Sequence, residues 1–192
     1  MSLVEGAEKR GVLVVIDEAF MDFTDNETVI GEIARRDNLI VIRSMTKFFG
    51  IPGLRLGYLV SNSKMVDKIS YYKEPWTVNV LAQKAGVACF KDGSFRLKTK
   101  RFIDRERKYM LDKLSKLKGL KSYGSSTNYL LIKLVKSGLS SGKLYEMMAR
   151  EGFLVRDCCS FRGMGNKYIR VAVKKRKQNN LLIENLKRIM ER

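Results

Sequence analysis

Val12 to Ile16 is an unbroken run of β-branched and leucine side chains that enters Asp17-Glu18. A short apolar run without polar alternation predicts a strand covered on both faces. Asn38 to Arg43 repeats the pattern, and between the two, Thr28 to Arg36 has helical character, with Val29, Ile33 and Ala34 on one side and Asp37-Asn38 as a stop. Strand, helix, strand makes adjacent parallel strands with a right-handed crossover, and sites in such sheets lie at the carboxyl ends of the strands. Asp17 and Ser44 occupy those ends. Gly53 to Val60 then gives a loop and a third short strand, Tyr58-Leu59-Val60. The helix-like segments Ser63 to Tyr72 and Val78 to Phe90 follow, separated by Pro75.

A long helix near Ser94 to Leu117 leads into a second pattern. Tyr129 to Leu134, Phe153 to Val155 and Tyr168 to Val173 read as strands, with a helix near Ser141 to Arg150 between them. This is a smaller α+β unit, so the chain divides within the long helix into residues 1–95, an α/β domain, and 96–192. Met1-Ser2-Leu3 reads as a leader ahead of the first patterned segment. A buried parallel strand so near the start leaves only three strands in the first sheet, which would expose its edges. The expectation is a chain that forms the later part of a longer polypeptide, or that needs a partner to complete its first domain.

Composition narrows the chemistry. The 192 residues are 45% hydrophobic, enough to bury one or two cores. No run approaches the roughly 20 apolar residues of a membrane helix. The N-terminus lacks the basic start and apolar stretch of a secretory signal, so a cytoplasmic location is expected. Cys89, Cys158 and Cys159 are odd in number and two are adjacent, which suggests neither a disulfide framework nor a spaced zinc site. The absence of histidine from these residues excludes a histidine triad within them. Lysine and arginine outnumber aspartate and glutamate by 38 to 20, for a net charge of +18. Residues 96–121 carry +8 of this and residues 174–192 carry +5. Both segments read as amphipathic helices, with Phe102, Ile103, Met110, Leu114 and Leu117 in one and Leu181, Leu182, Asn185, Leu186 and Ile189 in the other. The charge therefore reads as solvated helix faces that attract small anions; no interleaved aromatic platform points to nucleic acid, and no membrane partner is expected.

Lys47 is the central candidate for chemistry, in the stretch Arg43-Ser44-Met45-Thr46-Lys47 that continues to Gly53-Leu54-Arg55. A lysine just past a strand end, flanked by hydroxyls, can serve as a Schiff-base amine. Ser44 and Thr46 supply hydroxyls and Arg55 a planar cation, together enough to hold a phosphate dianion. Asp17, at the neighbouring strand end, is placed to pair with a protonated ring nitrogen.

These motifs resemble the fold-type I pyridoxal-phosphate enzymes, in the branch of histidinol-phosphate aminotransferases and threonine-phosphate decarboxylases, from about Val12 to the C-terminus. The resemblance implies the later part of that fold: a partial mixed sheet of the large domain with flanking helices, followed by a smaller α+β domain. Asp17-Glu18-Ala19-Phe20 matches the segment whose aspartate pairs with the pyridinium nitrogen, and Ser44-Met45-Thr46-Lys47 the Schiff-base lysine with its phosphate-binding hydroxyls. Arg55 matches the phosphate-binding arginine, and Arg170, in Tyr168-Ile169-Arg170-Val171, the grip on the substrate carboxylate. Arg156 matches an arginine that binds the substrate's phosphate. Phe20 stands where most aminotransferases carry tyrosine, and Pro75-Trp76-Thr77-Val78-Asn79 resembles the decarboxylases' version of its segment, which places Trp76 and Asn79 at the substrate. The implied reaction is decarboxylation of a phosphorylated amino acid, threonine phosphate, to aminopropanol phosphate for the cobalamin side chain, by a homodimer. Transamination of histidinol phosphate is the alternative, and a basic interaction module without activity is a third. The family's phosphate-cradling turn, ring-stacking aromatic residue and Asn-Pro-x-Asn-Pro-Thr-Gly segment would precede Val12 and are not in these residues.

Overall fold

In the computed structural model, which describes residues 3–24 and 27–191, Val14–Asp17 (β1) pairs in parallel with Leu39–Ser44 (β2), Val14 opposite Leu39 and Asp17 opposite Ile42. Gly57–Val60 (β3) joins β2 antiparallel, with Ser44 opposite Gly57, so the order is β1-β2-β3. Because side chains alternate along a strand, this register sorts them onto two faces. Leu39 and Val41 pack with Ile33, Val14, Ile16 and Val60 on the covered face. Val15 and Ile42, 53% and 43% exposed, lie on the other. The expectation of strands covered on both faces is thus corrected: among the described residues one face of this sheet is open.

The segment between β1 and β2 is a 3-10 helix, Val29–Arg35, rather than an α-helix. Its β-branched Val29, Ile30 and Ile33 and its Gly31 are weak helix formers, and seven residues are too few to recover the cost of nucleation. Leu3–Glu8 forms a short helix, α1, that the sequence pattern did not predict. Met1 and Ser2 of the expected leader lie outside the described residues, whereas Leu3 opens this helix. Arg36 ties α1 down, donating to Glu8 at 2.6 Å and Glu5 at 3.0 Å. Three helices follow: α2 (Ser63–Tyr71), α3 (Val80–Lys91) and α4 (Gly93–Ser115). None of the described helices is long and apolar enough to cross a membrane.

The chain divides into two units, Met1–Leu97 and Lys98–Arg192, and α4 runs through the division. The second unit contains Leu120–Ser122 (β4), Tyr129–Leu134 (β5), Ser141–Arg150 (α5), Arg156–Asp157 (β6), Tyr168–Ala172 (β7) and Arg176–Glu191 (α6). Its sheet is antiparallel in the order β4-β5-β7-β6. Leu130, Ile132, Leu134, Ile169 and Val171 are buried, as are Met110 and Leu114 of α4, Leu144 and Met148 of α5 and Leu186 and Ile189 of α6. The alternate positions of β5 and β7 are only half-buried, so the helices cover one face. The strand expected over Phe153 to Val155 lies instead at Arg156–Asp157. Phe153 closes α5 by donating its N–H to Met148, and Leu154 is 80% exposed.

A buried carboxylate joins α4 to α6. Glu106 accepts from Arg176 at 2.9 and 3.0 Å and from Asn179 at 3.1 Å. The hydrogen bond from Arg176 holds the Glu106 carboxyl below its ordinary value of 4.5, against the opposing effect of burial. A depressed carboxyl stabilises the fold above its unfolded value, and the contribution is lost as pH falls through the folded one. Glu106→Gln is therefore expected to cost about 1–3 kcal/mol at pH 7. Its stability should also fall less steeply than the parent's below about pH 5. Denaturant melts followed by circular dichroism across that range check both; parallel pH curves would remove Glu106 as the source.

Candidate active site

The parallel register puts Asp17 and Ser44 at the same end of the first sheet and on its open face. Asp17 accepts the N–H of Ala19 through Oδ1 at 2.8 Å, which turns the chain sharply at the strand end. Asp17, Glu18, Phe20, Met21 and Thr24 line an open concavity of about 290 Å³. Beyond β2 the chain folds back on itself: Met45 donates its N–H to Leu56 at 3.1 Å, and Phe49 donates to Met45 at 3.3 Å. Ser44 Oγ and Thr46 Oγ1 lie 2.8 Å apart, Lys47 Nζ donates to Ser44 Oγ at 3.3 Å, and the same ammonium sits 5.1 Å from the centre of the Phe20 ring.

An aromatic cluster anchors this turn. Phe23 packs edge-on against Phe48 at 5.0 Å, Phe48 against Phe49 at 5.2 Å, and Phe49 stacks on Phe95 at 6.0 Å. With Met45, Phe48 and Phe49 buried, Lys47 is left exposed between anchored neighbours. Arg55 follows a 3-10 turn, Pro52–Leu54, in the left-handed conformation at φ 52°. That conformation is costly for a residue with a side chain, and such strain concentrates at functional sites. The Arg55 guanidinium donates to the carbonyl of Pro52, three residues back, at 3.2 Å.

The second unit holds a separate pair. Arg156 on β6 lies directly opposite Arg170 on β7. Arg170 sits 4.5 Å over the Tyr129 ring; Arg156 lies 5.7 Å over Phe161 and donates to Ser160 at 3.4 Å. Among the described residues neither guanidinium has a carboxylate within salt-bridge distance. Cys89, Cys158 and Cys159 are unbridged, and burial pushes the Cys158 thiol up. Trp76 is 95% exposed, with a left-handed φ of 56°. Asn79 caps α3, accepting the N–H of Ala82 at 2.8 Å.

The structure thus brings Ser44, Thr46, Lys47 and Phe20 into contact, sets Asp17 at the neighbouring strand end, and pairs Arg156 with Arg170. Glu18 and Arg43, the neighbours of Asp17 and Ser44, form a buried ion pair that sequence reasoning missed. For Arg43 the available signal was a charged residue inside an apolar strand, where burial is rare without a partner.

Residues 1–186 match the family described as aminotransferase class I and II, and the chain belongs to it. A protein of Caldanaerobacter subterraneus subsp. tengcongensis provisionally named threonine-phosphate decarboxylase is 37% identical over 98% of this chain and 52% of its own length. The crystal structure of the histidinol-phosphate aminotransferase from Clostridium acetobutylicum superposes with a TM-score of 0.91 at 32% identity, covering 98% of this chain and 57% of that one. For L-threonine-O-3-phosphate decarboxylase from Porphyromonas gingivalis the TM-score is 0.87 at 30% identity, over 99% and 58%. The chain therefore spans about half the length of the relatives it matches. The fold is that of fold-type I pyridoxal-phosphate enzymes, and the cofactor is pyridoxal 5′-phosphate. The residues present fit it: an amine within reach of two adjoining hydroxyls for the phosphate end, and a carboxylate at the next strand end for a ring nitrogen.

Gly57 lies opposite Ser44, and a Cβ there would meet the carbonyl oxygen of Arg43 at 2.8 Å. Gly57→Ala must push β3 off the end of β2, at a cost of about 1–3 kcal/mol. In the full-length protein it is expected to lower Tm and to weaken cofactor binding several-fold, checked by thermal melts and equilibrium dialysis. An unchanged cofactor affinity would show that the β2 end tolerates the displacement.

Proposed function

We propose that this chain carries the Schiff-base lysine and the substrate-binding arginines of a decarboxylase that acts on a phosphorylated amino acid, threonine O-3-phosphate. The observation that carries the reading is the direct opposition of Arg156 and Arg170 across β6 and β7. Like charges facing each other in a sheet are destabilising, and a ligand with two anionic groups offsets the repulsion. Threonine phosphate has both a carboxylate and a phosphate; histidinol phosphate has only the phosphate. The 37% identity to a protein named for that decarboxylation supports the same choice.

When bound, pyridoxal phosphate supplies an electron sink for the bond that breaks. Lys47 would hold it through Nζ, with Ser44, Thr46 and Arg55 for its phosphate and Asp17 for its ring nitrogen. Phe20, packed against the Lys47 ammonium, offers a ring face but no hydroxyl. Arg170 takes the substrate carboxylate and Arg156 the phosphate, which orients the bond from Cα to the carboxylate. Lys47 Nζ, released when the substrate's amine takes its place on the cofactor, would carry the proton that Cα receives as carbon dioxide leaves. The product is aminopropanol phosphate. Trp76 and Asn79 are assigned to the substrate from their place in the motif alone. The reading includes a homodimer in the cytoplasm, and the exposed Tyr71, Tyr72 and Trp76 support burial against further polypeptide.

A second reading, transamination of histidinol phosphate, is favoured by the higher TM-score to that aminotransferase. In it both guanidinium groups would share one phosphate. Release of carbon dioxide from threonine phosphate by the full-length protein, with no keto-acid acceptor, decides between them; amino transfer without carbon dioxide would overturn the decarboxylase.

Two substitutions test the roles. Lys47→Ala in the full-length protein should abolish the visible absorbance of bound cofactor and nearly all turnover, and a retained band would remove Lys47 from the site. Arg156→Ala should lose about 1.5–3 kcal/mol of binding to threonine phosphate but little to threonine, whereas Arg170→Ala should weaken both. Equal losses for Arg156→Ala would refute its phosphate role.

A further inference from the structure

Beneath the lysine turn, on the covered face of the first sheet, lies a buried ion pair. The side chains of Glu18 and Arg43 are 1% and 8% exposed, and Arg43 Nη2 donates to Glu18 Oε2 at 2.8 Å. Glu18 immediately follows Asp17, and Arg43 immediately precedes Ser44. The two charges therefore hang from the two strand ends that present the site, one residue away from it and on the opposite face. Glu18 also accepts from Thr28 Oγ1 at 2.6 Å and from the N–H of Val29 at 2.9 Å. Arg43 donates to Thr28 Oγ1 at 2.8 Å, and its Nη1 lies 3.6 Å from Asp22, which in turn pairs with Arg96 at 3.1 Å. Tyr58 is Arg43's partner on β3. Arg43 Nε is buried without a hydrogen-bond partner.

A buried pair of this kind is a poor source of stability, because the desolvation of both charges offsets their attraction. Hydrophobic side chains would hold the sheet together as well. What the pair adds is direction: a short charge-assisted contact fixes where the end of β1 stands relative to the end of β2. We infer that Glu18 and Arg43 are positioning residues, which set the carboxylate of Asp17 against Ser44, Thr46 and Lys47 in the geometry the cofactor requires. The inference rests on the assignment of Lys47 and Asp17 to the cofactor.

The test compares stability with cofactor geometry in the full-length protein. Arg43→Met leaves the buried Glu18 without its cation, and Glu18→Gln leaves Arg43 with only the longer Asp22 contact at 3.6 Å, so both should lower Tm and cofactor affinity, Arg43→Met the more. The double variant removes both charges of the pair and leaves Asp22 with Arg96, so its Tm should recover most of the loss. Its affinity for pyridoxal phosphate, by equilibrium dialysis, should stay at least tenfold weaker than the parent's, and the visible circular dichroism of the bound cofactor should be altered. A double variant whose affinity and visible dichroism return together with Tm would overturn the inference and leave the pair merely structural. Thr28→Val, which removes a donor to Glu18 and an acceptor from Arg43 while keeping both charges, should weaken affinity about threefold and lower Tm less than Arg43→Met does; unaltered affinity counts against positioning. Lys47→Ala is run beside these. If the parent itself shows no visible band that depends on Lys47, the cofactor assignment has failed; if that band is present and the variants leave it unmoved, only the positioning has.

Discussion

The register of β1 against β2 is the constraint on which the first unit depends. Asp17 opposite Ile42 places the carboxylate and the Ser44 hydroxyl on one face at one end of the sheet. A slip of one residue would send Asp17 to the covered face and bring Glu18 into its place. Three things oppose the slip. Ile16, Leu39 and Val41 would lose their apolar surroundings. The N–H of Glu18 would lose its bond to Ile42, now 2.8 Å. The Glu18–Arg43 pair would be pulled apart inside the fold, where an unpartnered charge costs several kcal/mol. Apolar packing resists the displacement through area, whereas the ion pair resists it through direction.

Much of the lysine site was legible in the sequence because its parts are local. Ser44, Thr46 and Lys47 fall within four residues of a strand end, and a strand end is readable from an apolar run that stops. The α5 helix and the parallel pairing of the first two strands were legible for the same reason, each being written in a contiguous pattern. What escaped is what depends on distant partners. Nothing in the neighbourhood of Glu18 marks it as buried; it is buried because Arg43 and Thr28, remote in the chain, arrive to satisfy it. The two-residue β6 escaped because it exists only through its pairing with β7, its own residues carrying no apolar alternation. The open face of the first sheet was misread because an apolar run reports that both sides of a strand are greasy and says nothing about what covers them.

The excess of positive charge resolves differently in the two patterns. On α4, Asp104 and Asp112 accept from Arg107, Lys108 and Lys116 one turn away, as expected of a solvated face. On the half-open face of the second sheet the cations meet rings instead. Lys121 lies over Tyr123, Lys133 over Tyr168 and Arg170 over Tyr129, with Lys121 also opposite Lys133. Aromatic faces hold cations without neutralising them. That sheet face therefore keeps a positive field in which the cations are oriented by the rings they pack on.

Such a division explains how close relatives can catalyse different reactions. In the proposed reading the lysine, its hydroxyls and the strand-end carboxylate hold the cofactor whichever bond breaks, so they say little about that choice. That choice belongs to whatever orients the substrate, a role that the proposed reading gives to Arg156 and Arg170. If Arg156 and Arg170 hold the anionic groups as proposed, a small change in how they share them, one each or both on a single phosphate, would alter the bond held in line without touching the lysine site. Comparable likeness to a decarboxylase and to an aminotransferase is then what this architecture should produce. On the proposed reading, the information that separates the two activities lies in the arginine pair and its surroundings more than in the motif around Lys47.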